Sequence, residues 1–148
     1  MDFLKSLYHA HIWHIASANH WYLPEGTPDY RAWLRAMLYL RLDIRIAELY
    51  RTMPDEHAPL FGRDAVNYLT ALHSGVSISQ VSVFSFDKTL LLLNPYLKST
   101  KISWIVNPIP HRIKLVLQET HEFPHCGLPP CHEKEWGPSI LKKRLQKM

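Results

Sequence analysis

Between Tyr30 and Arg51 the chain carries more apolar side chains than one face of a helix can hold. Trp33, Met37, Leu40, Ile44 and Ala47 recur at alternating steps of three and four, and Leu38, Leu42, Ile46 and Leu49 form a second stripe at similar spacing. Over 38–46 a strand pattern competes, because Leu40, Leu42, Ile44 and Ile46 alternate with Arg41, Asp43 and Arg45. The abundance of Ala, Leu, Arg, Met and Glu favours the helix. A helix that is apolar on two sides must run through the middle of a domain or be covered by something else. The second stripe therefore carries an expectation of self-association, or of a protein partner, through the 30–50 segment.

Other elements follow from shorter patterns. Asp2 to about Ala18 reads as an amphipathic helix on Leu4, Leu7, Tyr8, Ile12 and Ile15. Thr27-Pro28-Asp29 is a start signal for the long helix. Gly62–His73 reads as a helix, with Gly75 as its stop. From Val76 to Phe86 serine alternates with valine, isoleucine and phenylalanine, which suits strands. Thr89–Leu93, Lys101–Val106 and Arg112–Leu117 extend this to two antiparallel hairpins. Ser139–Lys147 reads as a short amphipathic helix. The expected class is α+β in one domain: a mainly helical part over 1–75, a small antiparallel sheet over 76–118, and an irregular, zinc-stabilised segment with a basic tail over 119–148.

A chain of 148 residues suits one domain with a core of its own. Only five glycines are present, none in a dinucleotide or P-loop pattern, which argues against nucleotide chemistry. Two cysteines and no charged-then-apolar leader imply a cytoplasmic or nuclear location rather than a disulfide scaffold. The longest apolar run, Leu90–Leu93, is far below the ~20 residues that cross a bilayer, so no membrane association is expected. The net charge of +4 suits an anionic partner, RNA or DNA, and equally suits a plain solubility role. High proline, histidine and tryptophan with low glycine also fit a compact viral accessory protein on composition alone.

The most specific motif is His121-x3-His125-Cys126-x4-Cys131-His132. Zinc takes thiolates and imidazoles in a tetrahedron, and the Gly-Leu-Pro-Pro between the cysteines must turn. A structural zinc on Cys126 and Cys131 with two of His121, His125 and His132 would add folding energy to an irregular segment. A finger separates its ligand pairs by about 12–15 residues, whereas these candidates all fall between His121 and His132, so His111 is a further ligand candidate. Free thiols beside exposed histidines, or a local disulfide, are the alternatives.

His9, His11 and His14 form a second constellation, with His20 beyond. On a helix His11 and His14 are neighbours while His9 points away. The bland reading is a row of polar histidines on an exposed edge. The sharper one is a metal-dependent hydrolase or nuclease that draws a carboxylate from elsewhere. Asp43 and Glu48 read as solvated charges. Arg31, Arg35, Arg41 and Arg45 make pairs four apart that suit phosphates or a solvated face, and Lys142, Lys143, Arg144 and Lys147 make a basic tail. Trp13, Trp21, Tyr22, Tyr30 and Trp33 are bases' stacking partners or core. Together these features point first to a non-enzymatic binding or adaptor protein with structural zinc, contacting a protein and also nucleic acid, and second to the small metal-dependent hydrolase.

Overall fold

The computed structural model describes residues 3–52, 60–100 and 128–146. Helix α1 (Phe3–Asn19) ends in a left-handed residue, His20, with φ of 59°. The Trp21 N–H then reaches back to the Ala16 carbonyl at 3.0 Å, a termination in which glycine is the usual occupant. A short loop pinned by Trp21 and Asp29 reverses the chain. Helix α2 (Tyr30–Thr52) starts where the Thr-Pro-Asp signal places it, since Asp29 Oδ1 accepts the Arg31 N–H at 2.9 Å.

Helix α3 (Arg63–Ser74) closes on Gly75, whose φ of 78° and N–H bond to Ala71 give the anticipated stop. Next come a single turn, α4 (Ile78–Val81), and helix α5 (Phe86–Lys98). Beyond the undescribed stretch lie another single turn, α6 (Glu133–Trp136), and α7 (Ser139–Gln146).

The expected α+β class is therefore wrong. Among the described residues there is no strand, only the isolated bridge between Tyr22 and Pro28. The serines that seemed to alternate along a strand over Val76–Phe86 are helix caps. Ser77 accepts from the Gln80 N–H, with Gln80 reaching back, and Ser85 accepts from the Lys88 N–H at 3.1 Å. A serine three residues before its partner amide satisfies a helix start, and this local chemistry outweighs the period-two pattern. Thr89–Leu93 lies inside α5. A short apolar run is equally at home in a strand or a buried helix. The other two strand assignments, 101–106 and 112–117, fall outside the described residues.

Helix α1 packs on α2, α3 on α5, and α2 touches both α3 and α5, while α6 and α7 lie along α1. One core joins Leu7, Ile12 and Ile15 of α1 to Leu38, Leu42 and Ile46 of α2, Val66 and Leu69 of α3, Leu90 and Leu93 of α5, and Trp136 and Leu141 at the end of the chain. The second stripe of α2 is thus covered from within: Leu38, Leu42, Ile46 and Leu49 are all buried. The stripe is covered within one chain because the helix is central. Among the described residues no helix is long and apolar enough to cross a membrane.

Candidate functional site

Three residues spaced four apart on α2 interrupt its apolar surface: Arg35, Tyr39 and Asp43. All three are buried, and they line up on one face. Across from them α1 presents His11 and Asn19, and the C-terminal stretch inserts Glu135 and Trp136. The result is a polar seam inside the core. His11 Nε2 lies 2.5 Å from Asp43 Oδ2, and the Trp136 indole N–H donates to Asp43 Oδ1 at 3.0 Å. Glu135 Oε1 accepts from both the Arg35 guanidinium and the Tyr39 hydroxyl, while its Oε2 accepts from Asn19 Nδ2 at 2.8 Å. Arg35 also donates to the Pro129 carbonyl. His132, half-buried, closes the solvent end against Asn19 and Glu135.

The side chains of His11, Asp43, Arg35 and Glu135 are all 0% exposed. Charges at such depth persist only when paired and hydrogen-bonded. Burial works against the Arg35 charge, but Cys131, Glu135 and Tyr39 around it hold its pKa above the ordinary value. Burial, then the neighbouring Cys131 and Glu135, push the Tyr39 phenol well above its usual range, so it stays a donor to Glu135. Two atoms are left over: His11 Nδ1 and Arg35 Nε have no hydrogen-bond partner among the described residues. Each such atom costs about 1–3 kcal/mol. The seam joins three segments; a group that reacts with a substrate must be reachable by it, and these four are not.

Of the expected zinc ligands, Cys131 and His132 are described, whereas His121, His125 and Cys126 lie outside the described residues, as does His111. Cys131 is buried beside Arg35 and Tyr39, and burial pushes its thiol up to about 12 despite the pull of Arg35. Its backbone N–H donates to Asp87 Oδ1 at 2.7 Å. The Arg35 guanidinium beside the thiol would be a like charge for any cation placed there. Among the described residues no three His, Cys, Asp or Glu side chains gather in metal-holding range.

The N-terminal histidines do not converge either. His9 meets the edge of Trp33, and His14 Nε2 donates to the Lys134 carbonyl at 2.8 Å. His11 is in the core rather than on an exposed edge, and its partner Asp43 is not a solvated charge. Among the described residues His9, His11 and His14 thus do not gather at one site. The arginines form no row. Arg31 pairs with Asp29 and Arg35 is in the seam. Arg41 is half-buried, and Arg45 lies over Tyr96 with bonds to Thr100, Ser99 and Glu48. Arg35 in particular is withdrawn from any phosphate surface. In the tail Lys142 and Lys143 are exposed, Arg144 is tied to Ser6, and Lys147 lies outside the described residues.

Sequence reasoning missed Tyr39, Glu135 and Trp136. The available signal was the spacing of Arg35, Tyr39 and Asp43, three polar positions on one face of a helix otherwise buried all round. No known protein family matches this chain, and neither a curated protein nor a solved structure matches it.

Proposed function

We propose that this is a non-enzymatic helical binding protein whose partner is another protein, met on the surface formed by α3, α4 and the turn after them. The observation that carries this reading is the exposure of Tyr68, Leu72, Ile78 and Val83, with Leu72 at 61% and Val83 at 81%. Large apolar side chains left in water within one short stretch are the usual raw material of a protein interface. The side chains with the most reactive chemistry are meanwhile consumed in the seam. Zinc on Cys131 is not part of this reading, given the Arg35 guanidinium beside it. Nucleic acid is secondary, since the exposed cations of α7 are Lys142 and Lys143, and the Lys142 ammonium sits 4.8 Å from the centre of the Phe61 ring. Residence in the cytoplasm or nucleus, where thiols stay reduced, belongs to the same proposal.

The test is affinity capture from the native source with the wild type and with Leu72→Asp/Val83→Asp. Both positions are exposed, so stability should change by no more than about 0.5 kcal/mol per site. Binding of the specific partner should weaken by about thirtyfold or more, the effect of losing a central contact. Identical protein sets on both baits, or recovery of nucleic acid alone, would overturn the reading.

A further inference from the structure

Charge is shared unevenly among the helices. Neither α1 nor α7 contains an acidic residue, while between them they carry Lys5, Lys142, Lys143 and Arg144. The two helices pack on one another, and Arg144 reaches Ser6 Oγ at 3.2 Å, which brings the cations of α7 beside the N-terminal half of α1. Among the described residues Arg144 bonds to a hydroxyl and to carbonyls, so no carboxylate neutralises it there. Lys143 is exposed, and Lys142 is exposed but lies over Phe61. The carboxylates of Asp29, Asp43, Glu133 and Glu135 are meanwhile engaged with arginine or histidine elsewhere.

Exposed apolar side chains are divided just as unevenly. The exposed large aliphatic ones, Leu72, Ile78, Val83 and Leu91, all fall within the span from α3 to α5. From α1 to the start of α2 the exposed ones are rings: Trp13 at 51%, Tyr22, and Tyr30 at 47%. Ser6, His9 and Trp13 recur at steps of three and four and so share the outer face of α1. Ser6 holds Arg144, His9 meets the edge of Trp33, and Tyr30 stands one turn before Trp33 on α2. Cations and open rings along one ridge are the two components by which proteins hold unpaired strands, since cations follow the phosphates and rings stack on the bases. An anionic lipid surface is met by aliphatic side chains as well, and α1 exposes no large one.

We propose that the outer ridge of α1, with α7 beside it, binds single-stranded nucleic acid, with Lys5, Lys143 and Arg144 on phosphates and Trp13 stacked on a base. The ridge shares no residue with the α3–α4 surface that meets a protein partner. Fluorescence anisotropy of a labelled oligothymidylate against the full-length chain tests it across a salt series. The single strand should bind more tightly than its duplex with oligodeoxyadenylate. Log affinity should fall with log salt at a slope of about −2, about 0.7 for each of the three cations. Lys143→Ala should reduce that slope by about 0.7. Trp13→Ala should weaken binding about tenfold or more at unchanged slope, and Trp13→Phe should restore most of it, because a ring still stacks. The Leu72→Asp/Val83→Asp chain should bind the oligonucleotide as wild type does, so the two surfaces stand or fall separately. The proposal is overturned by no binding at low salt, by duplex held as tightly as single strand, or by Trp13→Ala binding like wild type. Binding to phosphatidylserine vesicles in place of the oligonucleotide overturns it in favour of a membrane surface.

Discussion

Glu135→Ala is expected to destabilise the protein by about 3–5 kcal/mol, because it strands a sealed guanidinium without its carboxylate. Glu135 is the hub of the seam, accepting from Arg35, Tyr39 and Asn19, which come from two different helices. Its removal leaves Arg35 with the Pro129 carbonyl as its remaining hydrogen-bond acceptor. Urea unfolding followed by circular dichroism measures the loss. The double variant Arg35→Met/Glu135→Leu should recover most of it, since replacing both members of a buried pair with apolar groups of similar volume is often neutral. A single-variant loss below about 1 kcal/mol would place the pair in water, as for a surface salt bridge.

Leu42→Arg should prevent folding at room temperature. Leu42 is fully buried at the centre of α2, on the stripe that sequence alone offers as an interface. An unpaired charge at such a site belongs to the largest class of single-residue effects, above about 4–5 kcal/mol, against a total stability of about 5–15 kcal/mol. Loss of the helical far-ultraviolet signal is the expected result. A soluble, fully helical Leu42→Arg chain of lower oligomeric state would instead mark the stripe as an interface and contradict the packing described above.

Helix positions were legible where local chemistry specifies them. The Thr27-Pro28-Asp29 start, the Gly75 stop and the three-and-four spacing of α2 all translate directly into structure. The run from Val76 to Phe86 was misread because period-two alternation and closely spaced serine caps produce the same string of letters. Only the glutamine three residues after Ser77 separates them. The seam was harder still. Arg35 and Asp43 are visible in sequence as charges in a helix, but their partners stand a hundred residues away at Glu135 and ninety-three away at Trp136. Nothing local announces a pairing at that distance. Cys131 drew attention as a ligand because cysteine next to histidine suggests metal, and nothing in that spacing announces its buried neighbours Arg35 and Tyr39 on α2.

The central claim is that the residues with the most reactive chemistry are sealed between α1, α2 and the C-terminal stretch 128–146. Thiol labelling of Cys131 tests it most directly. In a Cys126→Ser chain, with a strong chelator present, a soluble disulfide reagent should modify Cys131 many times more slowly in native buffer than in urea. Native labelling as fast as in urea would contradict the claim. Labelling that becomes fast only when the chelator is added would contradict it too, by returning Cys131 to a metal.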